Sequence, residues 1–536
     1  MKSERHEFRL SRRNLLGLMA SSFALYTTTF LVTPALAQTA PPSEAMPAFS
    51  FDALTARMKT RAGQPYEAPA EDLPDSFNGF DYDGYRRIQY RPDHSKWSDG
   101  GAFRIQAFHM GWLFKERVGV YEIHGGKAVP VDFSAADFDY HEPGVAEKVA
   151  ADPWPGVAGF RINAPINTRE IFDEVVSFLG ASYFRALGRG NLYGLSARGL
   201  VLNSWVEGPE EFPRFSEFYL ERPAADAPSM TFYAALEGPS VTGAYQFTLT
   251  PAGAETQETT IEVTARLFFR ADVKELGIAP LTSMFLYADN NRAAFDDYRP
   301  QVHDSDGLVL EDGDGQVSWR PLNNPPEPGN SYFQQERLGA FGLYQRNRNF
   351  DDYQDAGAHY ELRPSLRVEP VGTWGAGAVR LIEIPAKLEA EDNIGAFFVP
   401  SEPVKAGDER EFSYRLRWGD LNPDPAGGLA YVADTRGGRG GVSGVANADT
   451  LRKFVIDFKG GPLTTLDEKT PPDIVTEITG GTLKVSTVSR ITDDGIWRLV
   501  LDVEIPGTDP VELKALLTRQ GRPVTETWLY QWRAAA

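Results

Sequence analysis

Any chemistry in this chain must come from carboxylates, histidines, hydroxyls or a bound ion, because its 536 residues include no cysteine. A thiol nucleophile and a thiolate zinc site are thereby excluded. His94, His109, His124, His141, His303 and His359 are scattered; no pair has HExxH spacing and none sits in a compact ligand cluster. Neither a G-x-S-x-G elbow nor a phosphate-binding loop occurs. Carboxylates are left, and they are densest between Asp289 and Asp314. Asp304-x-Asp306-Gly and Asp312-x-Asp314-Gly resemble calcium loops, but counting from Asp304 the twelfth position is Gly315, so the EF-hand frame fails. Tight-turn chemistry is the other reading, and it suits Asp312 to Gly315. From Phe295 to Leu308, aromatic, basic and acidic residues are mixed more densely than a turn requires. Two further segments have that mixed character. One is Leu388 to Gly395, with Glu389, Glu391 and Asp392. The other is Tyr353 to Arg363, with Asp355, His359 and Tyr360. Taken singly, each reads as well as a solvated loop.

The elements that must position these segments are mostly strands. Period-two alternation recurs between Gly, Pro, Asn and Asp clusters, as at Phe103–His109, Tyr245–Thr250, Thr259–Phe269 and Leu499–Ile505. The fold class expected is all-β, built of sandwiches. Two helices are predicted. One is Phe51 to Arg61, with Phe51, Leu54 and Met58 on one face; the other is Thr168 to Leu179, with Asp173 and Glu174 near its start. The length exceeds one ordinary core. The segment Pro400-Ser-Glu-Pro-Val-Lys-Ala-Gly-Asp, rich in Pro, Gly and charge, is the best boundary. It divides a large domain, 38–402, from a small one, 409–536, whose closely spaced strands suggest an immunoglobulin-like sandwich. Gly437-Gly-Arg-Gly-Gly reads as a flexible loop.

The first 37 residues read as an export signal. Lys2, Arg5, Arg9, Arg12 and Arg13 precede an apolar run from Leu15 to Val32, and Ala35-Leu-Ala37 is an A-x-A cleavage site. Ser11-Arg-Arg-Asn-Leu-Leu fits a twin-arginine signal, which addresses a folded-protein exporter. Periplasmic export is therefore expected. No later stretch approaches the ~18–20 apolar residues of a membrane span, so no stable membrane insertion is expected. The formal charge of −20 repels nucleic acid and anionic lipid, but not a neutral polymer. Aromatics at 12% suit sugar-ring packing and a β-sandwich core alike.

Longer strings carry a family resemblance. They include Gly180-Ala-Ser-Tyr-Phe-Arg-Ala-Leu-Gly, Tyr193-Gly-Leu-Ser-Ala-Arg-Gly-Leu, Leu276-Gly-Ile-Ala-Pro-Leu-Thr-Ser-Met-Phe and Asp297-Tyr-Arg-Pro-Gln-Val-His-Asp-Ser-Asp-Gly-Leu. Trp319-Arg-Pro-Leu, Tyr360-Glu-Leu-Arg-Pro-Ser and Glu391-Asp-Asn-Ile belong with them. From about Phe51 onward, and most clearly from 155 to 400, the chain resembles the periplasmic glucan biosynthesis proteins MdoG, OpgG and OpgD. Its twin-arginine signal is more like the D type. The resemblance implies a large N-terminal β-sandwich of the carbohydrate-active, galactose-mutarotase-like kind, then a small immunoglobulin-like one. It also implies work on osmoregulated periplasmic glucans with a β-1,2-linked glucose backbone, by an inverting glycoside hydrolase or transglycosylase that needs no metal or organic cofactor.

Carried over residue by residue, the family's general acid falls on Asp392 and its base on Asp304, with Asp306 the neighbour it could be confused with. Tyr360, Arg363 and Glu389 would line the same cleft, and crowding by Glu389 and Glu391 would raise the pKa of Asp392. Glycoside cleavage needs such a pair, one carboxyl to protonate the leaving oxygen and one carboxylate to activate water. The family's base acts less directly, through a hydroxyl or water relay. The alternative is a glucan-binding protein that does no chemistry and assists an inner-membrane glucan synthase; calcium-dependent scaffolding is a third reading.

Overall fold

The computed structural model describes residues 48–534, apart from 71–72, 207, 425–426, 443, 445–449 and 492–494. The export signal expected over residues 1–37 lies outside the described residues. Strand Thr259–Phe269 shows how the sheets form. Its Ile261, Val263, Ala265 and Leu267 alternate into the core while Glu262 faces outward. It pairs antiparallel with Val241–Thr250 on one side and with Glu409–Gly419 on the other. These are central strands of a 15-stranded sheet. A 10-stranded sheet packs across from it, running in space from Arg104–His109 through Val157–Ala164, Asp173–Leu179, Tyr183–Ala186, Ser196–Arg198, Leu276–Ser283, Ile394–Pro400 and Gly377–Glu383 to Gly329–Gln335. The protein is all-β in a sandwiched arrangement, as expected.

Much of the aromatic content fills this core. Phe178, Phe184, Phe215, Phe218, Phe232 and Phe247 form one cluster between the sheets, with the rings of Phe232 and Phe247 stacked 4.9 Å apart. Helix Phe51–Ala62 is present as expected. Ser50 Oγ caps it by accepting from Ala53 N at 3.0 Å, and Leu54 and Met58 are buried against the sheet. Thr242 Oγ1 pins it by donating to Met58 O at 2.7 Å.

Thr168 to Leu179 is not a helix. Asp173–Leu179 is a strand between Val157–Ala164 and Tyr183–Ala186. Val175, Val176 and Phe178 favour a pleated surface, and the carboxylate of Glu174 is taken by Arg161 at 2.6 Å. Nor is the Gly437 stretch a loop at its start, since Gly437 and Gly438 lie in strand Tyr431–Arg439. A Cβ on Gly437 would sit 2.6 Å from Asn290 O, so glycine here permits close backbone approach.

The strand after the Pro400–Asp408 segment stays in the large sheet. Phe412, Tyr414, Leu416 and Trp418 of Glu409–Gly419 belong to the first core, and the second core takes up the chain at Leu421. That second core lies between a four-stranded sheet (Tyr431–Arg439, Leu451–Lys459, Trp497–Glu504, Thr482–Arg490) and strands Asp473–Thr479, Val511–Arg519 and Thr527–Trp532. The last of these pairs in parallel with Val317–Pro321, Trp319 opposite Trp528. The 15-stranded sheet therefore runs without a break from one core into the other.

Candidate functional site

The short strand Val302–His303 pairs with Phe285–Tyr287, and Asp304 N donates to Met284 O at 2.8 Å, which delivers the Asp304 carboxyl inward. Asp304 is 0% exposed, and Arg363 Nη1 lies 2.9 Å from its Oδ1. Arg363 follows the single 3-10 turn Tyr360–Leu362, which His359 enters at φ +47°. The Arg363 guanidinium lies over the Tyr360 ring, 4.7 Å from its centroid. Tyr360 Oη donates to Glu389 Oε2 at 3.1 Å. Burial, with the charges of Asp304 and Glu389, pushes the Tyr360 phenol far above its ordinary range. Glu389 is also held by Arg299 at 2.7 Å, and Arg299 further binds Asp297 and Asp355, each at 2.8 Å. Hydrogen bonds from Arg299 pull the Asp297 carboxyl down to about 2. Asp304, Arg363, Tyr360 and Glu389 thus form one connected set.

Asp392 lies three residues after Glu389 and two before strand Ile394–Pro400. Its neighbour Asn393 fixes the backbone. Asn393 Oδ1 accepts from Phe285 N at 2.9 Å, and Asn393 Nδ2 donates to Phe285 O and Ile384 O. Phe285 pairs with His303, so the peptide units beside Asp392 and Asp304 are held by the same short strand. Asp392 lines a cavity of about 320 Å3 with Phe108, Tyr183, Arg185, Tyr193 and Ser196. Burial pushes the Tyr183 phenol up to about 12, and the nearby Asp392 adds to the effect. Tyr193 Oη donates to Glu174 at 2.7 Å, and Arg185 Nε donates to Ser196 Oγ at 2.7 Å. The cavity borders the Arg363 segment. Leu192 N donates to Leu362 O at 3.0 Å, and a Cβ on Gly194 would meet Arg363 Cβ at 3.1 Å. Apolar rings beside phenols, a guanidinium and carboxylates suit a ligand with C–H faces and many hydroxyls.

Asp306 goes elsewhere. Its Oδ2 accepts from Arg346 N at 2.9 Å and Asn347 N at 3.1 Å, and it borders a cavity of about 40 Å3 shared with Val432, Ala433, Asp434 and Thr435 of the second core region. Asp306 therefore borders a different cavity from Asp392. The chain leaves one strand at His303 and starts the next at Gly307, so strand alternation does not keep Asp304 and Asp306 on one face. Asp312 does make the turn, its Oδ1 accepting from Asp314 N and Gln316 N at 2.9 Å. Glu391 accepts from Lys387 N at 3.0 Å. Among the described residues no group of three or more His, Asp or Glu side chains could hold a metal ion. A larger groove of about 780 Å3, between Tyr332, Arg337 and Lys514, has Asp312, Asp314 and Glu336 on its wall, of which Asp312 is spent on its turn and Asp314 on Arg337.

Sequence reasoning passed over Arg299, Tyr183, Arg185 and Tyr193. All four lie inside the strings that carry the resemblance, and Arg299 stands two residues from Asp297, a spacing that lets one guanidinium grip the carboxylate behind it.

Residues 49–532 match the family model described as "Periplasmic glucan biosynthesis protein, MdoG". The chain is 53% identical over 538 residues to "Glucans biosynthesis protein G" of Cereibacter sphaeroides, covering 98% of each chain. It is 38% identical over 541 residues to "Glucans biosynthesis protein D" of Xanthomonas oryzae pv. oryzae, covering 98% of this chain and 99% of the other. Relatives of both types thus match, and the D type expected from the signal is not singled out. A GH36 α-galactosidase of Geobacillus stearothermophilus is 12% identical, covers 42% of this chain and 30% of its own, and has a TM-score of 0.24, too low to carry an argument. Among the described residues no helix is long and apolar enough to cross a membrane.

Proposed function

Because the chain belongs to the MdoG family of periplasmic glucan biosynthesis proteins, we propose that it cuts or rejoins β-1,2-linked glucose chains in the periplasm, with Asp392 as general acid and Asp304 as base. One observation carries the reading. Asp392 lines a phenol-walled cavity, and the Asn393 side chain beside it grips strand Phe285–Tyr287, which also pairs with His303 beside Asp304. Asp392 gives its proton to the glycosidic oxygen as the bond from C1 breaks. Water attacks C1 from the opposite face, and its proton passes to the base. Because Asp304 is buried and salt-bridged to Arg363, that proton travels through an intervening hydroxyl or water, and the Tyr360 phenol beside it is the nearest candidate. In transfer, a sugar hydroxyl takes the place of water. Export by the twin-arginine route, an immunoglobulin-like second sandwich and an inner-membrane glucan synthase as partner complete the proposal.

The test is incubation of the purified protein with linear β-1,2-glucan, followed by reducing-end and product-size analysis of wild type and Asp392→Asn. New products from the wild type alone are expected. If the wild type binds the glucan and leaves it unchanged in size, the protein is a glucan binder without catalysis.

A further inference from the structure

We propose that Gln345 is a positioning residue for this cleft, a single amide that sets the Asp304 strand and the Tyr360 turn against each other. Gln345 is 1% exposed and follows strand Leu338–Tyr344. Its backbone is pinned, because Gln345 N donates to Ser365 Oγ at 3.0 Å. Its Nε2 donates to His303 O and to Tyr360 O, each at 3.0 Å. One of those carbonyls belongs to the residue before Asp304, the other to Tyr360 itself.

With both amide protons used, the orientation of the group is fixed, and the remaining atom, Oε1, faces His303 Nδ1 at 2.9 Å. Nδ1 must therefore be the ring nitrogen that carries hydrogen. Burial keeps the imidazole neutral, its pKa lowered to about 3, so Nε2 has a lone pair. Gln301 Oε1 is placed 2.9 Å from Nε2; a lone pair there requires the Gln301 amide to be turned so that its nitrogen faces the ring. The ring is wedged between Phe285, stacked at 5.3 Å, and Tyr353, edge-on at 5.2 Å. Gln345 thus acts on both sides of the site at once, on the strand that delivers Asp304 and on the turn from which Tyr360 and Arg363 project.

An ordinary buried amide would be matched by other buried hydrogen bonds of the core. The difference lies in which groups are held. A side chain of the same length without an amide leaves two carbonyls and one ring N–H unpaired, all beside the proposed base and relay. Displacements near 1 Å at a reacting group cost about 10²-fold in rate. The inference rests on the glucan reading for its consequence, but not for its geometry.

The experiment compares wild type, Gln345→Met and, as a control, Thr242→Val, which removes a buried hydrogen bond at the N-terminal helix. Ring 15N spectra of the histidines come first. Wild-type His303 is expected as the Nδ1–H tautomer at neutral pH, and Gln345→Met shifts it towards Nε2–H. An Nε2–H ring in the wild type overturns the inference whatever the protein does to glucan. Steady-state measurements on linear β-1,2-glucan follow, on samples with native circular dichroism. Gln345→Met is expected to lower kcat by about 10²-fold with glucan Kd within about threefold, while Thr242→Val keeps both. An unchanged kcat, or equal losses in Gln345→Met and Thr242→Val, overturns the positioning role. If the wild type binds the glucan without turnover, the catalytic reading has failed by itself. The inference is then judged on the ring spectra, where a shift from Nδ1–H towards Nε2–H in Gln345→Met carries it and no shift ends it.

Discussion

Two regions of this molecule gather acidic and arginine side chains at similar density, and they do so to different ends. In one, Arg299 and Arg363 hold Asp297, Asp355, Glu389 and Asp304, and Asp392, three residues after Glu389, lines a cavity of about 320 Å3. Between the two cores, Arg346 binds Glu526 through both Nη atoms, at 2.6 and 3.0 Å, with each side chain only 3% exposed. Asp306 and Asp434 border a cavity there of about 40 Å3, room for little more than water. Burial pushes Asp306 up to about 6. Burial with the charges of Asp289 and Asp457 outweighs Arg436 and pushes Asp434 up to about 7. Residue type alone does not separate the two clusters; access does. An arginine can hold a carboxylate ready for a ligand or weld two sheets together, depending on whether a ligand-sized space adjoins the pair.

The sharpest way to break that contrast is to remove charge on the cleft side. Asp392→Asn should lower glucan turnover by about 10²–10⁴ with folding and glucan affinity largely kept, since the amide retains the shape but has no acidic proton to give. Asp304→Asn should fall in the same range, read by the same product assay. At the junction the loss should appear in stability instead. Glu526→Gln leaves Arg346 buried with its partner's charge gone, and about 3–5 kcal/mol of unfolding free energy should disappear in denaturant titration. Turnover per folded molecule should stay within about threefold of wild type. A large loss of turnover in Glu526→Gln at unchanged stability would erase the distinction.

The pH response sharpens the comparison further. Asp306 and Asp434 have folded-state values raised above the ordinary carboxylate range, so the folded protein binds more protons than the unfolded chain in the window between. Their contribution to stability is present at low pH and is lost as pH rises from about 4 to about 7. Thermal midpoints of Asp434→Asn should decline less than those of wild type across that window. An identical decline would remove Asp434 from the account. The smallest effect belongs to Asp314→Asn. Asp314 and its partner Arg337, 2.6 Å away, are both largely exposed, so stability should move by less than about 0.5 kcal/mol and turnover not at all.

How much of this was legible in the sequence depended on the range of the interaction involved. Alternation over Thr259–Phe269 and the apolar stripe of Phe51–Ala62 are set within a few residues, and both elements appear where the pattern puts them. Asp173–Leu179 misled because two acidic residues before an apolar run also mark a helix start, whereas pairing on both edges made it a strand. The Pro/Gly-rich stretch at 400–408 looked like a seam between domains, yet the strand beyond it fills a place between Thr259–Phe269 and Ser365–Val371 that only tertiary pairing defines. The candidate segments around Asp304, Tyr360 and Asp392 stood out by composition and by resemblance. What composition could not supply was direction, so Asp306 was grouped with Asp304 and Arg299 was passed over.

The parallel pairing of Val317–Pro321 with Thr527–Trp532 also bears on how the chain assembles. Strand Thr527–Trp532 has Val511–Arg519 on its other side, so it closes two sheet edges together. On a ribosome, Val317–Pro321 has emerged and paired with Gly307–Asp312 long before its second neighbour is made. Until then its free edge is open to any other strand, a hazard that sheet proteins usually hide. A nascent chain that stops short of Thr527 would carry every residue of the proposed site beside an adhesive border, and quality control would have more reason to destroy it for the border than for anything the site lacks.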